Sequence, residues 1–268
     1  MSELIICRIN SASELLDSPG KKYPRLLLLL LALSVFCIIS WLPFISDKPR
    51  GPLAFVWPVN QSRSAGDLIS PHLDTTILSP HSVCSSNSSQ PYLIVVVCSA
   101  IPNFEARYTI RQTWAQDSET LKNVKVVFLV GQEINSTHQE LLESESNQYG
   151  DIIQESFIDT YANLTVKSLM LLKWFTKSCD TTQFVMKTDD DMYINLNKLY
   201  DLVQANKKPN LLTGSLICNA VPIKDPYNKW YVPTYMFSAK KYPNYLSGKK
   251  RNIFCRKANN KLFQEPRI

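Results

Sequence analysis

Three adjacent carboxylates, Asp189, Asp190 and Asp191, follow Lys187-Thr188 where the apolar run that begins at Phe184 ends. In an extended backbone alternate residues project to one side. Asp189 and Asp191 can therefore share one hard divalent cation, directly or through water, and a cation with so few protein ligands keeps open positions for the oxygens of a diphosphate. A solvated acidic turn would present the same three residues. An EF-hand would not, because the loop has neither the glycine at its sixth position nor the glutamate at its twelfth.

Other side chains offer supporting chemistry, each with a plainer reading beside it. Arg107 and Arg111 are four apart and share a helical face, able to orient a nucleotide or to pair with neighbouring acids. Lys167 and Lys187 suit phosphate contacts and equally suit the surface. Trp230, Tyr231, Tyr235, Tyr242 and Tyr245 offer flat faces for a sugar, although aromatic side chains more often fill a core. Competing mechanisms lack material: with three histidines and seven glycines, a histidine-based zinc site, a serine–histidine triad or repeated phosphate loops have little to be built from. No G-x-G-x-x-G or G-x-x-x-x-G-K-[ST] pattern occurs.

These residues need a scaffold, and the pattern around them alternates. Tyr92 to Ala100 is a β-branched run suited to a strand buried on both faces. A helix follows around Phe104 to Trp114, then a strand at Val124 to Val130 closed by Gly131, a polar helix from Thr137 to Tyr149 and a short strand at Asp151 to Ser156. Asn163 is placed to cap a helix to about Lys177 with Leu169, Leu172 and Phe175 inward. Phe184 to Thr188 reads as a strand. Asn195 is placed to cap a helix carrying Leu196, Leu199 and Val203, and Leu211 to Ile217 reads as one more strand. Such alternation means βαβ units, a mostly parallel sheet and an α/β fold whose ligands bind beyond the carboxyl ends of the strands.

The net charge of +6 over 268 residues is concentrated at one end. Residues 249–268 carry seven basic residues against one Glu, whereas Pro91 to Gly248 hold 15 basic and 16 acidic residues. That balance leaves no broad positive surface for a phosphate backbone, so nucleic acid is set aside as a partner. Leu26 to Ile45 is free of charge for 20 residues, the length of a bilayer span, and Lys21, Lys22 and Arg25 before it place the N-terminus in the cytosol. A cleaved signal peptide fits less well, since Trp41-Leu42-Pro43-Phe44 offers no small-residue cleavage site. Residues 1–25 then form a cytosolic tail, 26–45 a transmembrane signal anchor and 46–90, with ten serines and five prolines, a luminal stem. Residues 91–248 are the domain and 249–268 a basic divergent tail. The N-x-[ST] sequons at Asn60, Asn87, Asn135 and Asn163 all lie on the luminal side. So do Cys84, Cys98, Cys179, Cys218 and Cys255, where disulfides are permitted and an odd count leaves one unpaired.

From Arg107 onward the chain resembles the β-1,3-galactosyltransferase and β-1,3-N-acetylglucosaminyltransferase family, glycosyltransferase family 31. The resemblance is carried by Arg107-Tyr-Thr-Ile-Arg111-Gln-Thr-Trp114, Val127-Phe-Leu-Val-Gly131 and Asp159-Thr-Tyr161-Ala-Asn163-Leu-Thr-Val-Lys167-Ser. It continues through Lys187-Thr188-Asp189-Asp190-Asp191 and Tyr242-Pro-Asn-Tyr245-Leu-Ser-Gly248. It implies a GT-A nucleotide-sugar-binding fold in a Golgi type II membrane protein that takes a UDP-sugar donor and a glycan acceptor. It also implies that Asp189 and Asp191 form a D-x-D element for Mn²⁺, beside which Arg107, Arg111, Lys167, Lys187 and Asp190 are the candidates for the nucleotide-sugar site. The family places its catalytic base in an acidic E-D-V-type motif beyond the point matching Gly248, and residues 249–268 do not contain one. Asp225 is the remaining carboxylate in that half, and Asp225-Pro226 reads as turn chemistry. The chain as written is therefore expected to bind donor but transfer sugar poorly, the alternative to an active hexosyltransferase being an incompetent relative that binds nucleotide or a partner enzyme.

Overall fold

The computed structural model describes residues 24–46, 53–84 except 55, 57, 63 and 81, 91–206 except 122, 134 and 135, then 211–247 and 253–256. It divides into two units, residues 1–52 and residues 53–268. In the first, Pro24–Ser46 forms helix α1 around the expected span. Among the described residues no helix is long and apolar enough to cross a membrane.

The second unit begins upstream of residue 91. Helix α2 (Ala65–Ile69) and strand β1 (Thr76–Leu78) come from the serine-rich stretch read as a stem. Composition misleads there because a few apolar anchors suffice: Ile69 is 1% exposed, packed with Phe157, Val166 and Met170. Strand β2 (Leu93–Cys98) and helix α3 (Phe104–Gln112) follow, then a 3₁₀ turn at Trp114–Gln116 and the short helix α4 (Asp117–Thr120). Strand β3 is Val124–Gln132, helix α5 Ser136–Tyr149, strand β4 Ile152–Ile158, helix α6 Leu164–Ser178 and strand β5 Phe184–Asp189. Helix α7 (Leu196–Ala205) precedes the short strands β6 (Leu212–Thr213), β7 (Ser215–Ile217), β8 (Tyr245–Ser247) and β9 (Ile253–Arg256).

Seven strands make one sheet in the order β1-β4-β3-β2-β5-β9-β6. The four central strands are parallel, while β1, β6 and β9 join antiparallel. Every residue of β2 is buried, as a strand with helices on both faces must be. Its alternation divides the core in two. Leu93, Val95 and Val97 pack with Ile110 and Trp114 from the α3 side and with Leu196 and Val203 of α7. Ile94, Val96 and Cys98 face Leu171, Trp174 and Phe175 of α6. A disulfide between Cys84 and Cys179 ties the segment before β2 to the residue that ends α6.

Three local expectations are corrected. Asn163 occupies the N-cap position of α6 but its side chain makes no cap bond; its Nδ2 donates instead to the Ile158 carbonyl at 2.9 Å. The buried stripe of α6 is rotated from the expected one: Val166, Met170, Leu171, Trp174 and Phe175 are buried, with Leu169 and Leu172 at its margin. Leu211 to Ile217 is not one strand, because β6 pairs with β9 while β7 pairs with β8 in a separate two-stranded sheet. Asn195 does cap α7, accepting from the Lys198 amide at 2.9 Å. Strand β9 lies within the stretch set apart as a basic tail.

Candidate functional site

Strand order creates a crevice at one place. From β2 the chain moves outward to β3 and then β4, and α6 carries it back to β5 on the other side of β2. The sheet thus reverses direction between β2 and β5, and ligands of open parallel sheets sit beyond the strand carboxyl ends at such a point. Cys98 and Asp189 are register partners there. The next residues on the two strands, Ser99 and Asp190, are joined by a 2.7 Å bond from the Ser99 hydroxyl to Asp190 Oδ2.

The acid cluster is divided by its bonding. Strand β5 ends at Asp189, so the backbone turns at Asp190 and Asp191 and does not run on extended. Asp190 Oδ2 also accepts from Asn103 Nδ2 at 2.8 Å. Asp189 is exposed and meets the Lys187 ammonium at 2.9 Å, and Asp191 is exposed. Two exposed carboxylates therefore flank an anchored one. Among the described residues no three His, Cys, Asp or Glu side chains converge as a metal cluster. The donor chemistry at the turn nevertheless fits a hard cation whose shell is completed by phosphate oxygens, since Asp189 and Asp191 supply hard oxygens and leave other positions open.

The basic residues behind the turn are held by the protein itself. Arg107 is 0% exposed. Its Nε and Nη2 pair with Glu145 at 2.9 and 2.6 Å, Nη1 donates to Ser99 Oγ at 3.1 Å and to the Ala100 carbonyl at 2.6 Å, and Nη2 also reaches the Ile101 carbonyl at 3.0 Å. All five guanidinium donors are thereby used. Arg107 has none left for a nucleotide, which gives it the ion-pair role that its spacing also allowed. Arg111 donates to Glu145 at 2.7 Å and to both oxygens of Asp151 at 2.8 Å, with its guanidinium over the rings of Tyr149 and Phe128. Burial alone would raise the Glu145 pKa, but hydrogen bonds from Arg107 and Arg111 outweigh it and hold the carboxyl below its ordinary value.

Lys167 is likewise internal. Its ammonium donates to the Ser99 carbonyl at 2.6 Å and to Asp159 Oδ2 at 2.7 Å, and the same Asp159 oxygen accepts the Gly131 amide at 3.0 Å. Glycine is required at 131 by proximity, since an added Cβ would lie 2.7 Å from the Phe157 carbonyl and 2.9 Å from Asp159 Cβ. Of the basic residues singled out from sequence, Lys187 alone borders the acid turn. Burial pushes the Cys98 thiol up to about 11, so it is neutral at pH 7 and no nucleophile.

The remaining candidates lie apart in sequence and role. Trp230, Tyr235 and Tyr245 are 53%, 41% and 45% exposed, at the surface and not in the core, with the Lys229 ammonium 4.6 Å from the Trp230 ring centroid and Tyr245 edge-on to Tyr242. Tyr242 packs against Phe237 with ring centroids 4.6 Å apart; Tyr231 is half-buried. Asp225 Oδ1 accepts from the Tyr227 amide at 3.1 Å, a turn bond as its sequence context implied. Asn60 is exposed in a turn and Asn163 is half-buried; Asn87 and Asn135 lie outside the described residues. Sequence reasoning missed Ser99, Asn103, Glu145, Asp151 and Asp159. Ser99 carried one signal, a hydroxyl directly after a fully buried strand. Glu145 and Asp151 carried none, because their arginine partners are 34 to 40 residues away, whereas Asp159 stands eight residues before its partner Lys167 in one family-like segment.

Fold and site together define an α/β protein with a parallel-sheet ligand crevice and an acid turn at its switch point. The sequence model of the family described as galactosyltransferase matches residues 105–265, and the chain belongs to that family. The match takes in part of the segment beyond Gly248. Mouse and human beta-1,3-galactosyltransferase 1 are each 36% identical over 185 residues, covering 67% of this chain and 56% of the relative. Gorilla beta-1,3-galactosyltransferase 5 is 37% identical over 160 residues, covering 59% and 54%. The chain spans about half the length of the curated relatives it matches.

Proposed function

We propose that this chain is a UDP-sugar-binding member of the Golgi-lumen hexosyltransferases, anchored by the apolar run Leu26 to Ile45, whose reaction takes galactose or an N-acetylhexosamine from the UDP-sugar to a glycan acceptor in β-1,3 linkage with inversion. The observation that carries the reading is the acid turn at the β2/β5 switch point, where two exposed carboxylates face outward from a turn pinned at its middle residue. The names of the relatives support the galactosyl donor and the linkage. In this reading Asp189 and Asp191 hold Mn²⁺ against the donor diphosphate. The bound cation supplies Lewis-acid stabilisation of the charge that grows on the β-phosphate as the sugar leaves. Asp190, whose Oδ2 accepts from Ser99 and Asn103, fixes the turn. Lys187, paired with Asp189 at 2.9 Å, would add positive charge near the diphosphate. The exposed Trp230, Tyr235 and Tyr245 present ring faces to the acceptor.

Calorimetric titration of the full chain with UDP, with and without Mn²⁺, tests the reading. Binding is expected to require Mn²⁺ and to weaken at least about tenfold in Asp191→Ala, as loss of one charged ligand implies. Equal binding by Asp191→Ala and the parent would reduce the cluster to a turn.

A further inference from the structure

We propose that Ser99, assisted by Asn103, is a positioning residue: it transmits the order of the buried ion-pair network to the acid turn and so sets the geometry in which Asp189 and Asp191 take metal and diphosphate. The inference rests on the metal reading above and adds to it the part that makes the turn rigid.

The direction of each bond is fixed by chemistry. Arg107 has donors only, so in its 3.1 Å contact Ser99 Oγ must accept. The hydroxyl proton is then free to point the other way, to Asp190 Oδ2 at 2.7 Å. The Ser99 backbone is held as well, because its carbonyl takes the Lys167 ammonium at 2.6 Å. Two buried cations with separate counter-ions, Glu145 for Arg107 and Asp159 for Lys167, thus converge on one residue that is 2% exposed. From it a charge-assisted hydrogen bond, the stronger kind, leads to Asp190. Asn103, directly before α3, supplies a second donor to the same oxygen at 2.8 Å.

Asp190 is the middle of the three acids, and its neighbours are each one trans peptide away, about 3.8 Å between Cα atoms. Fixing Asp190 therefore limits where Asp189 and Asp191 can stand relative to each other and to the crevice. Without the Ser99 hydroxyl the turn would keep its carboxylates but lose their spacing, and cation binding would have to order them first. A cost of that kind weakens affinity without removing a ligand.

The test uses the full chain in detergent and the variants Ser99→Ala, Ser99→Thr, Asn103→Ala and Asp190→Asn, with Ser99→Ala also made in the Asp190→Asn background. Two quantities are read: amide hydrogen exchange of residues 189–192 without metal, and Mn²⁺ affinity in the presence of UDP from the paramagnetic resonance signal of free Mn²⁺. Ser99→Ala is expected to quicken exchange at the turn and to weaken Mn²⁺ binding about tenfold, the size of one lost charge-assisted hydrogen bond. Ser99→Thr, which keeps the hydroxyl, should recover most of the affinity, and Ser99→Ala should add little to Asp190→Asn. Asn103→Ala, on the exposed side of the turn, reports a smaller loss in the same direction if Ser99→Ala fails to fold. Unchanged exchange, or unchanged Mn²⁺ affinity whatever the melting temperature does, would overturn the proposal. A parent that binds no Mn²⁺ while its turn responds to Ser99→Ala would sink the metal reading itself, leaving Ser99 as the tether of an inert turn.

Discussion

Arg107 and Asp191 both come from segments that resemble one family's motifs, and both serve the same end of the sheet, yet their surroundings are opposite. Arg107 is fully buried with every donor taken by the protein; Asp191 is exposed at the tip of a turn. The difference teaches that a motif of charged residues combines two kinds of work. One charge holds the crevice in shape, and the other is exposed where the proposed cation would sit. A substitution at the first should lower stability, and at the second should lower binding at constant stability.

The largest expected effect falls on the buried side. Arg107→Ala removes one partner of a buried pair and leaves Glu145 to Arg111 alone, which should cost about 3–5 kcal/mol of stability. Chemical denaturation of the two proteins measures it. A loss under about 1 kcal/mol, the range of surface pairs, would mean that the network is not what holds α3 and α5 to the sheet. Next is Cys84→Ser, expected to cost about 2–4 kcal/mol because the bridge closes a long loop in the unfolded chain; reduction of the parent should give a similar loss.

Gly131→Ala should cost about 1–3 kcal/mol through overpacking, since its new methyl group meets backbone at Phe157 and pushes on Asp159. Acid should act through Glu145. Its pKa is held down in the folded chain, so its contribution is present above the ordinary value of 4.5 and is lost as pH falls through the lower folded value. The difference in melting temperature between the parent and Glu145→Gln is therefore expected to be constant from pH 7 to about 5 and to shrink below 4.5. A difference that grows in acid would reverse the assignment of Glu145 as an ionised partner.

How much of this was legible depends on how local the cause is. The β-branched run Leu93–Cys98 and the acid cluster at the end of β5 announced themselves, because burial on two faces and a strand terminus both leave marks in adjacent residues. The cap of α7 was equally local, Asn195 and Lys198 being three apart. An ion-pair role for Arg107 was open in the sequence but its partner was not legible, since Glu145 is 38 residues away and nothing in either segment names the other. Lys167, open in the sequence to a phosphate contact or a surface place, is buried instead, and its bond to the Ser99 carbonyl spans 68 residues although its ion-pair partner Asp159 is only eight away. The split of Leu211 to Ile217 into two strands is set by β8 and β9, which lie far along the chain. The serine-rich stretch before β2 concealed Ile69 and β1, whose few apolar anchors are outvoted in any average over composition.

The claim on which the account stands is that the exposed pair Asp189 and Asp191, not the buried arginines, meets the donor. An anomalous-scattering map from crystals of the chain grown with Mn²⁺ and UDP measures this directly. The account predicts one manganese peak at the carboxyl end of β5, bridging a carboxylate of the acid turn and the diphosphate, with Arg107 still paired to Glu145. A diphosphate bound with no manganese at the turn, or an Arg107 side chain released from Glu145 to hold it, would contradict it.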